Sequence, residues 1–183
     1  MHRLRLAAAA LGIMALTACA SPMHMTETSG PAASLSAADR TFISEAAYSG
    51  LGEVALGELA SRKGADPSVR DFGQQMIKAH SQANDQLVSI STSKGVTPPT
   101  KPDPGRMAVT EMLAKLSGEQ FDQQYATQQL ADHETALALY QAEASGGADP
   151  DLRAFAQKNV PVIQQHIDML KRLHVRAMST TSS

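Results

Sequence analysis

Two stretches of the chain repeat one another: Ala65-Asp-Pro-Ser-Val-Arg-Asp-Phe72 and Ala148-Asp-Pro-Asp-Leu-Arg-Ala-Phe155. Five of the eight positions are identical. In each, aspartate precedes proline, which pairs an N-cap acceptor with the residue whose missing N–H costs nothing at the first helical position. Each stretch therefore opens a helix. Each also follows a glycine stop, Lys63-Gly64 in one copy and Ser145-Gly146-Gly147 in the other. A helix, a stop and a second helix, twice over, make two related helical hairpins.

Working outward, Ser36 with Asp39 forms a capping pair for a helix over 37–63, and Asp66-Pro67 starts the next over 67–93. Between Gly95 and Gly105 stand Pro98, Pro99, Pro102 and Pro104, which break a regular helix and mark a crossover. A short helix over 106–116 belongs to this connection. Ser117, with Gln120 completing a capping box, starts a third long helix over 118–144, and Asp149-Pro150 starts the fourth over 150–175. No segment shows the two-residue alternation of a half-buried strand. The pattern predicts an all-α fold: a ferritin-like antiparallel four-helix bundle of two hairpins over 36–177, joined by a Pro-rich crossover containing a short helix. The Ser/Thr-rich tail, 178–183, is expected to be disordered.

The rest of the chain is a matter of targeting. His2, Arg3 and Arg5 precede an apolar run from Leu6 to Leu16, too short to span a bilayer permanently and of signal-peptide length. It ends in Leu16-Thr17-Ala18-Cys19, which resembles the bacterial lipobox. The expectation is a signal peptide over 1–18, lipidation of Cys19, and a flexible tether over 19–35 rich in Ser, Thr, Pro, Gly and Ala. Ala20 and Ser21 follow the cysteine, with no aspartate of the kind that holds many such lipoproteins at the inner membrane. The implied location is the periplasm, with the membrane partner the outer membrane, reached through the N-terminal lipid. Removing 1–18 takes away two arginines and leaves 14 basic against 18 acidic side chains, so the mature chain has no affinity of its own for anionic lipid. With no Trp, 4% aromatic residues and a formal charge of −2, the chain has neither a stacking surface nor a basic footprint for nucleic acid.

Helical rotation places Phe42, Ala46, Leu56 and Ala60 on one stripe of the first helix, with Glu53 in its middle. The apolar face of the second helix, Val69, Phe72, Met76 and Leu87, includes His80. His133 lies among Ala126, Leu130, Leu137 and Tyr140, and His166 among Leu152, Phe155, Ile163 and Leu170. Each long helix thus turns one metal-ligand side chain inward, and buried groups of this kind need partners. One solution is a network in which the histidines hydrogen-bond to Gln129, Asn159, Tyr140 or each other, with Glu53 paired to His80. The other is a metal ion on Glu53, His80, His133 and His166. Counting from the turns brings Glu53 level with His80 and His133 level with His166, but leaves open whether the two pairs share one height.

A di-iron site of the carboxylate-bridged kind requires Glu-x-x-His on two helices. Here the positions three before His80 and His166 are Ile77 and Ile163, so the expected cofactor is a single Zn, Cu or Fe ion rather than a bridged pair. Glu134 is a weaker candidate, equivalent to Glu53 if the hairpins are aligned on Glu53-Val-Ala-Leu and Glu134-Thr-Ala-Leu. Pro161 sits inside the fourth helix, five residues before His166, and reads as a bend fitted to the bundle or as a device that aims the histidine. Met23-His24-Met25 in the tether offers soft ligands for Cu(I).

Asp39-x-x-Phe42, Glu53-Val54, Val69-Arg-Asp-Phe72 with Met76 and His80, Phe121-Asp122-x-x-Tyr125, His133 and Pro161-x-x-x-x-His166 together resemble a bacterial family of unknown function. Its members are labelled outer membrane proteins and grouped with the ferritin-like superfamily. The resemblance implies a helical bundle in the cell envelope and no particular chemistry. It departs at Ala79, where the family pattern commonly has an aspartate before the histidine. No Ser-His-Asp, Cys-His or glycine-rich phosphate motif is present. The leading reading is a lipid-anchored, non-catalytic envelope protein that binds a metal ion or a protein partner of unknown identity. The alternatives are a mononuclear metal redox enzyme and a purely structural interaction bundle.

Overall fold

The computed structural model describes residues 35–179. The expected signal peptide, Cys19, the Met23-His24-Met25 motif, the tether up to residue 34 and the tail from 180 lie outside the described residues. Five helices follow in order: α1 (Ala37–Lys63), α2 (Pro67–Ser93), α3 (Pro104–Ala114), α4 (Gly118–Gly146) and α5 (Pro150–Ser179). The described residues contain no strand, and no helix among them is long and apolar enough to cross a membrane.

The helix starts follow the capping logic with two corrections. Ser36 Oγ accepts from the Asp39 N–H at 3.0 Å and Asp39 Oδ2 accepts from the Ser36 N–H at 3.1 Å, a complete capping box. Asp66 and Asp149 cap α2 and α5 as expected. The first correction is α3, which begins at Pro104 rather than residue 106. Asp103 and Pro104 repeat the Asp-Pro start, and Asp103 Oδ1 accepts from Gly105 N and Arg106 N at 2.8 and 3.1 Å. The second is Ser117: it occupies the N-cap of α4, but its side chain makes no capping bond. Gly118, at the first helical position, has a φ of 62°, which turns the chain out of the geometry a capping box requires. At the other ends, α4 runs on to Gly146 and α5 to Ser179, two and four residues past their expected stops. Leu35, assigned above to the tether, is buried in the core.

α1 and α2 form one hairpin and α4 and α5 the other, with α1 against α4 and α2 against α5. Two buried aspartates lock them together reciprocally. Asp122 on α4 accepts from the backbone N–H groups of Ala65 and Asp66 at 3.0 and 2.7 Å, holding the α1–α2 turn. Asp39 on α1 accepts from those of Ala148 and Asp149 at 2.9 and 3.4 Å, holding the α4–α5 turn. Burial pushes the Asp39 carboxyl up, but the bonds from Ser36, Ala148 and Asp149 outweigh it and leave the group below its ordinary range. Each turn is also bound from within, because Arg70 donates to the Gly64 and Ala65 carbonyls and Arg153 to those of Gly147 and Ala148. Asp39 and Asp122, Asp66 and Asp149, and Arg70 and Arg153 all stand 83 residues apart. The two hairpins are therefore copies of one unit, each clamping the other's turn.

These clamps set the topology. The start of α1 lies beside the end of α4, so the two are antiparallel, and Lys94 at the end of α2 pairs with Asp149 at the start of α5 at 2.8 Å. The connection from α2 to α4 must climb the whole bundle, which is what the prolines and α3 accomplish. Within the first hairpin the helices cross with backbone nearly touching backbone. A Cβ on Gly57 would lie 2.7 Å from the Gly73 carbonyl oxygen, and one on Gly73 2.7 Å from that of Gly57.

The interior is two apolar clusters, one around Phe42, Tyr140, Phe155 and Ile163, the other around Phe72, Met76, Tyr125 and Leu170. Glu53, Gln129, His133 and His166 are buried as well, though none of them is apolar. The functional residues sit in this polar layer between the clusters.

Candidate metal centre

His80 on α2, His133 on α4 and His166 on α5 meet at one height. Their ring centroids are 5.6 Å (His80–His133), 5.6 Å (His80–His166) and 5.4 Å (His133–His166) apart. One ring nitrogen of each lies within 4.8 Å of those of the other two. The two hairpin pairs thus share one level, which counting from the turns had left open. The reciprocal clamps are the reason, because they fix the height of each hairpin against the other.

His80 Nε2, His133 Nε2 and His166 Nδ1 are buried with no hydrogen-bond partner. An unsatisfied buried polar atom costs about 1–3 kcal/mol, so three in one place call for an explanation. The opposite nitrogen of His133, Nδ1, lies 2.9 Å from the Gln129 carbonyl oxygen. A carbonyl can only accept, so Nδ1 carries the proton and Nε2 presents a lone pair. A backbone carbonyl fixing one nitrogen of a histidine so that the other is free to ligate is the usual support of a metal site.

Burial holds the rings uncharged. It pushes His133 down to about 4, against weaker opposing effects of the Gln129 carbonyl and the Asp132 charge. His166 is also pushed down to about 4, by burial and by His133, and His80 lies well below its ordinary value for the same reasons. At neutral pH each ring is therefore uncharged and keeps one nitrogen with a free lone pair, which in His133 is Nε2.

Glu53 takes a different place from the one expected. Its Oε2 accepts from Gln129 Nε2 at 2.6 Å, and its Oε1 lies 3.7 Å from His133 Nδ1, behind that ring. It lines the cavity without belonging to the group of three. Burial pushes its carboxyl up to about 8, with the Asp132 charge adding and the Gln129 bond opposing. Gln129 is fully buried and joins Glu53 to Tyr125, whose hydroxyl donates to Gln129 Oε1 at 3.5 Å. The hydrogen-bonded alternative forms in part: His133 bonds to the Gln129 carbonyl, while Asn159 donates to the Phe155 carbonyl and Glu53 pairs with Gln129 rather than His80. Glu134 is exposed. The clamps align the repeats with an offset of 83, so the counterpart of Glu53 is Ala136, and the alignment on Glu134 was in the wrong register.

The three rings border a cavity of about 20 Å³, whose other walls include Gly50, Ala79, Ala83, Ala136 and Ile163. This is space for one ion or one water. Imidazole nitrogens around a tetrahedral ion at about 2.0–2.1 Å stand about 3.4 Å from one another, so loading needs the rings to draw in by roughly 1 Å.

The matching family model spans residues 24–173 and describes a domain of unknown function. The chain belongs to the DUF4142 family. No curated protein matches the sequence. Among solved structures, this DUF4142 chain resembles the crystal structure of a DUF305 fragment from Deinococcus radiodurans, with a TM-score of 0.69 and 15% identity. The likeness covers 78% of this chain and 98% of that one, and it is a likeness of fold. The DUF4142 match extends across all three histidines.

Proposed function

We propose that this DUF4142 protein is a lipid-anchored component of the cell envelope whose bundle binds one transition-metal ion on His80, His133 and His166, without catalysing a reaction. The observation that carries the metal reading is the convergence of three uncharged imidazoles whose facing nitrogens are buried without hydrogen-bond partners. Three nitrogen donors suit Zn, Cu or Fe, and the Gln129 carbonyl holds the His133 ring from behind, with the Glu53 carboxyl 3.7 Å from the same Nδ1. With Ile77 and Ile163 at the positions where bridging carboxylates would stand, the donor set fits one ion rather than two.

Metal analysis of protein purified without a histidine tag tests the reading. One equivalent of Zn, Cu or Fe, lost when His133 is replaced, is expected, and a wild type that takes up none of the three refutes it. Anchoring is tested separately. Cys19→Ser is expected to leave unprocessed precursor or to release the protein from membranes in detergent-phase partitioning, because acylation requires the thiol. A variant that matures and partitions like wild type refutes the lipoprotein reading.

A further inference from the structure

The three histidines are not equally enclosed. His133 and His166 are 1% and 5% exposed, while His80 is half-buried as a side chain, with its Nε2 enclosed. The cavity lining includes Ala79 and Ala83 on α2 and Val162 on α5. Val162 is 37% exposed, so that part of the lining is also the molecular surface. Along the same α2–α5 seam two larger hollows flank the site. One of about 400 Å³ lies by Gln75 and Met169, and one of about 390 Å³ by Gln86 and Lys158. The two helices thus leave open space above and below the histidines, and at their level Ala79, Ala83 and Val162 line the cavity from these two helices. Pro161, beside Val162, has no N–H to give the Gln157 carbonyl, so α5 lacks one backbone bond at this height.

The opposite side is closed more firmly. A cleft of about 340 Å³ between α1, α3 and α4 reaches Glu53 and Ser49, which line the histidine cavity too. Both are buried, and Gln129 holds the Glu53 carboxyl in place. An ion coming from that side would have to displace a hydrogen-bonded side chain. On the seam side Ala79, Ala83 and Val162 line the cavity, and none of these carries a polar side chain to displace.

Resting on the metal reading above, we propose that the ion enters and leaves through the α2–α5 seam at Ala79, Ala83 and Val162. His80 is the outermost ligand. An incoming donor atom replaces its imidazole on the ion, which keeps its charge, and the remaining histidines then release it.

The test measures Zn(II) loading, and release to excess EDTA, by stopped flow, together with the equilibrium Kd. Ala79→Leu and Val162→Trp narrow the seam, while Val109→Trp fills the cleft beside α3. A barrier on the path slows passage equally in both directions. The seam variants are therefore expected to slow loading and release several-fold each, with Val109→Trp matching wild type. Slowing by Val109→Trp alone, or seam variants that load and release at wild-type rates, overturns the port while leaving the metal site standing. A wild type that binds no Zn(II), Cu or Fe overturns both.

Discussion

A site whose polar atoms face one another without partners is a burden on the apoprotein, and this gives a prediction with a definite sign. His166 is 5% exposed, its Nδ1 has no partner, and no hydrogen bond ties it to another side chain. Replacing it by leucine removes an unsatisfied buried atom and leaves no donor or acceptor stranded, so the gain is the avoided penalty of about 1–3 kcal/mol less any packing misfit. For a domain near this size each kcal/mol moves the melting temperature by about 2–4 °C. In EDTA, His166→Leu is therefore expected to melt a few degrees above wild type. With free ion at one hundred times Kd, wild type gains about 2.7 kcal/mol, or roughly 5–10 °C, and the variant loses most of that gain. The assay is thermal melting by circular dichroism of wild type, His166→Leu and His80→Leu, each in EDTA and with Zn, Cu or Fe. If the histidines instead form a stabilising network, both leucine variants melt well below wild type in EDTA and no metal shifts the wild type. That outcome refutes the reasoning.

Asp122→Ala strips the acceptors from two backbone N–H groups in the α1–α2 turn and is expected to cost about 3 kcal/mol, seen as a lower urea midpoint. A loss under 1 kcal/mol would show that the clamp is ornamental. Gly73→Ala puts a methyl group 2.7 Å from the Gly57 carbonyl oxygen and 2.8 Å from Ser61 N, so α1 and α2 must separate. The expected cost is about 1–3 kcal/mol, and a variant as stable as wild type would contradict the close crossing. Burial, the Asp39 charge and the hydrogen bond with Asp39 push Glu143 up to about 7. A folded-state value above the unfolded one means stability fully present below the ordinary carboxylate range and lost as pH rises through about 7. The melting temperature of wild type relative to Glu143→Gln is therefore expected to fall between pH 5 and pH 8, and a constant difference would rule the effect out.

The fold was legible because its punctuation is local. Asp-Pro at 66–67 and 149–150, the Ser36–Asp39 box and the stop at Gly64 each act within one turn of helix, and each appears in the structure where the rules put it. The misses were local conflicts. Pro104 was counted with the helix-breaking prolines although Asp103 before it makes it a start, and Gly118 overrode the capping signature that Ser117 and Gln120 spell. The inward direction of Glu53, His80, His133 and His166 followed from helical periodicity. Their relative heights did not, since height depends on Asp39 and Asp122 reaching across to the opposite hairpin's turn, contacts that span 109 and 57 residues. A signal was present all the same. Asp39-x-x-Phe42 and Asp122-x-x-Tyr125 share the offset of the Asp-Pro repeat, and together they fix the register that an alignment on Glu134 misses.

That register explains why the centre has three histidines and room for little else. With an offset of 83, His133 corresponds to Gly50, His166 to Ala83, His80 to Ile163 and Glu53 to Ala136. All eight residues line the same small cavity, so the centre lies where the two repeats face each other, on the axis that relates them. A strictly duplicated site would crowd twice as many imidazoles and carboxyls into about 20 Å³, each to be stripped of water and paired. The chain instead keeps a polar group in one copy and an apolar or absent side chain in the other. Gly50 goes furthest, since a Cβ there would collide with the Asn84 side chain. The symmetry of the backbone supplies convergence from three helices, and the asymmetry of the side chains supplies room. Symmetry alone would have produced either an empty apolar core or an overfilled polar one, and neither leaves three imidazoles facing a space the size of a single ion.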